Sequence, residues 1–489
     1  MVDIRVLERL TASDLFLLLW EDCGWSTDIG GLAILDGSSL LDEGRVRVDV
    51  IRRHLEPRLH LVPRFRQLLH RPRLGLGWPL WVDAPSFDLA DHIRVHPLTA
   101  PGDQDRLLQA CQQLARRPFD PGRPLWELWL LPGLPDRRVG AFLKLHHVFA
   151  DGPAAMAAFG ALLDHSPEAP DGDAPPWTPA PFPSGGELLR DNLRRRRQEV
   201  GRGWSGLVHP RRTLLLAGRV LPAWREVLTD RPAPRTSLNH PVGVERRLAI
   251  IRGRLEPTKR IAHVHRAKVN DVMLAAVAGG LRELLASRGE DVRGLVQRAM
   301  VTISHHEQRP GEAHGNKPGW MMVPLPVGEP DPVRRLTLIA AETGARKDKA
   351  RPEAGSGIFR FVAAQRIWYR LFPRQRSVNL VVSNVPGPPM RLYLAGAPLL
   401  EVFPLLPPMG NLTLVVAALS YAGQLNLTAA ADRDSCPDVE VFARGVRSAL
   451  DDLERSVLRS ETGGRDSATE SLLHAVGEAA IGGGRRWVS

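Results

Sequence analysis

Cysteine is nearly absent from this chain of 489 residues: three are present, Cys23, Cys111 and Cys436, far apart and in no paired spacing. That excludes a disulfide framework and a cysteine zinc site, and it suits a reducing compartment. Tyrosine is as scarce, at three residues. With no nucleic-acid motif beside it, so thin a supply of stacking platforms argues against a nucleic-acid partner. No run approaches the roughly 18 apolar residues of a spanning helix, so membrane contact is expected to be peripheral. The start, Met1-Val-Asp-Ile-Arg-Val6, lacks a basic-then-apolar signal pattern, and a cytoplasmic, non-secreted protein is expected. No period of 20–50 residues recurs, which excludes a solenoid.

What is present is a globular composition, 43% hydrophobic and 24% charged, in a chain long enough for two substantial cores. The net charge of +11 rests on arginine, since six of the 65 basic residues are lysine and 59 are arginine. Such a balance favours anionic partners such as phosphates, CoA-type substrates or acidic lipid.

Residues 1–165 read as one α/β unit. Ser13 or Asp14 caps a short apolar helix to Trp20, Gly30–Leu35 is a strand, and Val48–Leu69 is helical in pattern. A helix follows over Asp103–Arg117, and strands Leu128–Leu131 and Val139–Leu145 pair across a turn. Residues 166–235 form a linker rich in Pro and Gly and a basic helical connector over Leu188–Val227 that contains Arg194-Arg-Arg-Arg197. Four consecutive arginines cannot share one helix face, so this connector is either a solvated strut or an imperfect interfacial segment on anionic lipid. Residues 236–459 make a second unit. Its strands are expected at Arg246–Arg254, 298–303, Val378–Ser383, Leu412–Leu419 and Gln424–Ala430, the last two as a hairpin. Its helices are expected at Asn270–Ser287, Asp331–Lys349, Phe359–Arg374 and Val439–Leu458. Residues 460–489 read as a flexible tail.

The chemistry concentrates in Lys144-Leu-His-His-Val-Phe-Ala-Asp-Gly-Pro153, between a buried strand and a helix that Gly152-Pro153 allows to start sharply. His146 and His147 are neighbours on an extended segment, so their side chains point to opposite sides. One can enter a reaction space as a general base; the other is left to structural hydrogen bonds. A neutral imidazole suits the first task, because acyl transfer to a hydroxyl needs its proton removed as the new bond forms. A metal site would require two more ligands beside His147 and Asp151, and no helper cluster supplies them. His305-His306-Glu-Gln-Arg-Pro310 repeats the paired histidines with proline in place of the needed Asp, and reads as loop. Asn270-Asp271 opens an apolar helix; Asn270 is most simply its N-cap, and its amide could also donate to an oxyanion.

His146-His147-x-x-x-Asp151-Gly152, in order with Pro124-Leu125-Trp126, Asn270-Asp271 and Ser383-Asn384-Val-Pro386-Gly387-Pro388, resembles the bacterial wax ester synthase/acyl-CoA:diacylglycerol acyltransferases. The HHxxxDG element alone is shared with chloramphenicol acetyltransferase and with peptide-synthetase condensation domains. The resemblance implies an α/β fold of two acetyltransferase-like lobes, each a mixed sheet with flanking helices, with a tunnel between them. It implies acyl-CoA as co-substrate with no further cofactor and no metal, and diacylglycerol or a long-chain alcohol as acceptor. It also implies work at a membrane or lipid-droplet surface, with direct transfer by His147. Asp151, turned away from substrate, and Gly152 would hold the loop. Pro124, Leu125, Trp126, Asn384, Pro386 and Gly387 would be architectural. Two stretches depart from the family pattern: Val301–Arg309 and Thr27-Asp28-Ile29. Neither is expected to touch the base, and both bear on the acceptor. The rival readings are a condensation-type transfer to an amine or carrier-bound acceptor, and an inactive relative that only coats lipid.

Overall fold

In a computed structural model of the chain, the structure describes residues 7–22, 24–73, 75–149, 152–168, 175–208, 232–303, 319–347 and 372–459. Asp151, residues 304–318, 348–371 and the 460–489 tail lie outside them, as do Cys23 and the second part of the expected connector.

The first half runs α1 (Ala12–Asp22), β1 (Asp28–Asp36) and α2 (Val48–Leu55), then the hairpin β2 (Gln67–His70) and β3 (Leu80–Asp83). β4 (Ile93–Val95), α3 (Gln104–Ala115), β5 (Trp126–Pro132), β6 (Arg138–His146), α4 (Gly152–Gly160) and α5 (Gly185–Val208) follow. The cap of α1 is Thr11 and not Ser13 or Asp14. Its hydroxyl accepts the Asp14 amide at 3.2 Å while the Asp14 carboxylate takes the Thr11 amide at 2.9 Å, a reciprocal capping box. The helix expected over 48–69 stops after two turns. Pro57 and Pro63 lack the amide hydrogen that an α-helix would use, and the chain continues as 3₁₀ turns over Glu56–Leu61 and Pro63–Arg66.

The second half runs β7 (Arg246–Arg254), α6 (Leu255–Val264), α7 (Val269–Ser287), β8 (Gln297–Ile303), β9 (Gly319–Leu325), α8 (Pro332–Lys347) and β10 (Leu380–Pro386). β11 (Tyr393–Leu394), β12 (Ala397–Leu405), β13 (Leu414–Tyr421), β14 (Gln424–Asp432) and a helix, α9, over 439–459 complete it.

Two six-stranded mixed sheets result, ordered β11-β12-β1-β6-β5-β4 and β9-β8-β10-β13-β14-β7. This is the expected α/β architecture of two lobes. The β13–β14 hairpin forms as expected, antiparallel from Leu414↔Ala431 to Tyr421↔Gln424. α7 is buried along most of its length, with Val272, Leu274, Ala276 and Leu281 inaccessible to solvent in the core of the second lobe.

The lobes exchange chain. After β10 the backbone crosses to the first sheet, pairs β12 antiparallel with β1 from Gly30↔Leu405 to Leu35↔Leu399, and returns as β13. Residues 393–405, expected within the second unit, therefore belong to the first sheet. The crossing is held at both ends. The Tyr421 hydroxyl accepts the Leu392 amide at 2.9 Å and donates to the Leu399 carbonyl at 3.0 Å. Gly387, at the exit of β10, lies so close to β13 that a Cβ would stand 2.4 Å from the Ser420 carbonyl oxygen. A side chain there would force the strands apart.

Candidate functional site

β6 and β1 pair antiparallel in register from Asp36↔Arg138 to Asp28↔His146, which sets the end of β6 beside the start of β1. On its other side β5 pairs Trp126 with Leu145. The Pro-Leu-Trp stretch is thereby placed directly behind the paired histidines: the His146 amide donates to the Leu125 carbonyl at 3.1 Å. Leu125 and Val148 share a cluster with Leu10, Leu15, Leu18 and Trp81. Trp126 is 2% exposed, and its indole donates to the Phe65 carbonyl at 2.8 Å. It is a core residue of the first lobe and fixes the strand from which the loop leaves.

The two imidazoles have different surroundings. His146 is buried; its Nδ1 accepts the Val148 amide at 3.2 Å, so in the neutral ring Nε2 carries the hydrogen. Nε2 meets the Thr27 hydroxyl at 3.0 Å and the Glu21 carboxylate at 3.5 Å. The hydrogen bond with His146 holds the Glu21 carboxyl below its ordinary pKa against the opposing effect of burial. His147 is half-buried, its Nδ1 sheltered from solvent, and its amide donates to the Thr27 carbonyl at 3.0 Å. β6 ends at His146 and His147 opens the turn after it, so the two rings meet different surroundings.

Thr27 corrects an expectation. The Thr27-Asp28-Ile29 departure was expected not to touch the base, yet Thr27 binds the backbone of His147 and the ring of His146. Asp28 is no less involved. Burial raises its pKa, opposed by the Lys144 ammonium at 3.1 Å. Lys144 is itself 1% exposed, donates to the Arg117 carbonyl and lies 4.1 Å from the Phe119 ring centroid. A buried pair of this kind costs desolvation that its hydrogen bonds must offset, and here it supports the end of β6 beneath the loop. Removing one side of the His146 network is a mild perturbation. Thr27→Val is expected to lower kcat by about 2–10-fold, the equivalent of one hydrogen bond of about 0.5–1.5 kcal/mol, with KM little changed, as steady-state kinetics would record.

Glu21 and Lys144 escaped sequence reasoning because their partners are distant in the chain. Helix α1 carries Glu21 and also brings Phe16 and Trp20, with Trp25 just after it, against Met300, Met322, Phe372, Val381 and Met409 of the second lobe. The loop and this aromatic and methionine cluster between the lobes share one helix.

The other expected site residues lie as follows. Gly152 begins α4, whose Ala155, Met156 and Phe159 pack with Val385 of β10. Asp151 lies outside the described residues. Asn384 is half-buried in β10 opposite Ala418, Pro386 is exposed opposite Ser420, and Ser383 reaches the Thr302 hydroxyl at 3.0 Å. Of the 301–309 departure, residues 304–309 lie outside the described residues.

Asn270 is not the N-cap. The helix starts at Val269, and Asp271 closes it by accepting the Lys268 amide at 2.8 Å; its other oxygen accepts the Thr343 hydroxyl at 2.7 Å. Asp271 thus ties α7 to α8, and Asn270 sits half-buried in the first turn. Among the described residues, no hydrogen bond or ion pair joins Asn270 to the histidine loop. Among them, too, no three His, Cys, Asp or Glu side chains gather as a metal site. Cys111 and Cys436 are buried, and burial pushes the Cys436 thiol up to about 12, which leaves it unreactive.

Comparison with known proteins gives the same frame. A family model described as wax ester synthase/diacylglycerol acyltransferase catalytic domain matches residues 10–273, and its C-terminal companion matches residues 314–454. A putative diacylglycerol O-acyltransferase of Mycobacterium tuberculosis is 30% identical over 470 residues, covering 91% of this chain and 90% of that one. A probable diacylglycerol O-acyltransferase of the same organism is 30% identical over 461 residues, covering 91% and 95%. In structure, the chain is similar to the wax ester synthase/diacylglycerol acyltransferase from Marinobacter aquaeolei VT8, with a TM-score of 0.66 at 24% identity over 92% of this chain and 99% of that one. It shares its fold with a starter condensation domain of rhizomide synthetase, with a TM-score of 0.58 at 16% identity over 92% and 94%.

Proposed function

The chain belongs to the wax ester synthase/diacylglycerol acyltransferase family, and from that premise we propose that it moves a fatty acyl group from CoA to the hydroxyl of diacylglycerol or a long-chain alcohol, with His147 as general base. Membership carries acyl-CoA-dependent acyltransferase activity and substrates of these classes. The direct route and the residue roles are this proposal's own.

The observation that supports the assignment is the division between the two imidazoles. His146 is committed on both ring nitrogens to Val148, Thr27 and Glu21. His147 is half-buried with Nδ1 sheltered from solvent, and in this proposal its Nε2 faces substrate. Nε2 accepts the alcohol proton as oxygen attacks the thioester carbon. The tetrahedral intermediate then expels the CoA thiolate, and the imidazolium returns the proton to sulfur. No bond to the enzyme forms. The thioester is already activated, so acyl-CoA suffices as co-substrate and no further cofactor or metal is needed. The Asn270 amide is the candidate donor to the oxyanion, with Asp271 holding its helix. Asp151 and Gly152 hold the loop, and Pro124–Trp126 and Asn384–Gly387 hold the strands around it.

Among the described residues no helix is long and apolar enough to cross a membrane. A water-insoluble acceptor then calls for peripheral contact with a membrane or lipid droplet, from the cytoplasmic side. Purified protein given acyl-CoA with diacylglycerol, a long-chain alcohol or an amine should form triacylglycerol or wax ester and no amide. Amide formation without ester would overturn the reading in favour of a condensation-type transfer; no transfer to any acceptor would favour an inactive relative.

A further inference from the structure

Among the described residues, helix α5 is anchored by one face. Leu188 is buried, Asp191 takes the Arg9 guanidinium at 2.6 Å, Asn192 donates to the Gly75 carbonyl at 2.8 Å, and Arg195 donates to the Leu7 carbonyl at 3.0 Å. Arg9 also reaches the Trp78 carbonyl at 2.6 Å. It passes so close to Gly77, whose φ is +97°, that a Cβ there would stand 2.5 Å from Nη1. These ties fix the rotation of the helix about its axis.

The fixed rotation turns an apolar stripe outward. At 3.6 residues per turn, positions 189, 193 and 200 fall within about 40° of one another. Leu189, Leu193 and Val200 are 44%, 47% and 59% exposed. Arg196 borders the stripe on one side, and Arg190, Arg194 and Arg197 border it on the other, all four exposed. The consecutive arginines do not share a face, as the sequence requires; they divide around the leucines. The acidic residue between 189 and 198 is Asp191, held on the anchored side by Arg9 and Arg195. Beside the helix, Arg73, Arg194 and Arg196 line a cleft of about 950 Å³ next to Trp78. Phe182, just before the helix, is 53% exposed.

We propose that this outer face of α5 docks the protein on a bilayer surface containing anionic phospholipid. Arg190, Arg194, Arg196 and Arg197 meet the headgroup phosphates, with Arg73 beside them. Leu189, Leu193 and Val200 enter the layer between headgroups and acyl chains. A narrow apolar stripe with arginine on both flanks, and with the Glu187 carboxylate taken up by the Ser184 amide and hydroxyl, matches a planar anionic interface in shape and charge. The inference rests on the reading above for its purpose, which is to bring the enzyme to an acceptor dissolved in lipid; the docking itself rests on the helix.

The test mixes the full chain with vesicles of phosphatidylcholine alone and of equal parts phosphatidylcholine and phosphatidylglycerol, and measures co-sedimentation. The wild type should bind the mixed vesicles and not the neutral ones. Arg190→Gln, Arg194→Gln and Arg197→Gln together should weaken binding about 100-fold, the contribution of three basic residues near a charged surface. Leu193→Ser with Val200→Ser should also release the protein. Both variants should keep wild-type turnover of a short-chain acyl-CoA with a water-soluble alcohol. Undiminished vesicle binding by either variant, or equal binding to neutral vesicles, overturns the proposal. If the wild type fails to turn over the soluble pair while its binding still follows the arginines, the catalytic reading falls and the docking surface stands.

Discussion

Replacing His147 with alanine is expected to lower turnover by about 10²–10⁴-fold, the contribution of a positioned general base, in a protein that remains folded. The side chain is half-buried at the end of a strand, so its loss opens little core. The loop keeps its place because the contacts that hold it belong to other groups: the backbone bond from residue 147 to Thr27, the His146 network and the Lys144–Asp28 pair. KM for acyl-CoA should change little, since the base acts as the hydroxyl proton leaves and adds nothing to thioester binding. His147→Gln keeps hydrogen-bonding capacity without basicity and should be as impaired as alanine. The contrast with Thr27→Val, one hydrogen bond away, separates a chemical role from a supporting one.

The second large effect is on stability. Trp126→Ala is expected to cost about 3–5 kcal/mol, as for other buried large-to-small changes. Two residues meet the indole through three groups: the Phe65 ring with centroids 4.7 Å apart, the His92 ring stacked at 4.5 Å, and the Phe65 carbonyl that receives its N–H at 2.8 Å. Alanine leaves a cavity and orphans that buried carbonyl. Trp126→Phe retains most of the ring surface and loses the N–H, so its cost should be nearer the about 1–3 kcal/mol of one unsatisfied buried group. Thermal unfolding midpoints of the wild type and both variants measure this order. Because Trp126 pairs with Leu145, one residue before His146, the alanine variant should also lose activity at temperatures where it is still folded.

Local information was enough to find the loop. The apolar run, the paired histidines and the Gly-Pro turn lie within the fifteen residues from Val139 to Pro153, and their strand-to-helix geometry follows from period and turn chemistry alone. The β13–β14 hairpin and α7 were legible for the same reason. The support of the loop was not. Thr27 and His146 are 119 positions apart in the chain, and only the β1–β6 register brings them together. The exchange of residues 393–405 into the first sheet also left no local signal. β11 and β12 pair with each other, but the other partner of β12 is β1, near the opposite end of the chain, and nothing local points to it. Asn270 shows a subtler limit. An asparagine before an apolar run is a good cap, but Asp271 reaches back to the Lys268 amide and begins the helix one residue earlier. On α5, arginine spacing was visible, but the direction each arginine faces depends on Arg9 from the far end of the first lobe.

Direct transfer by His147 is tested most directly by following free CoA thiol in the first turnover, with and without acceptor, in the wild type and in His147→Ala. Thiol release by the wild type should wait for the alcohol or diacylglycerol, and the alanine variant should release it at least about 10²-fold more slowly with acceptor present. A burst of one thiol per protein molecule without acceptor would mean an acyl-enzyme, and an unchanged rate in the variant would mean another base; either result contradicts the account.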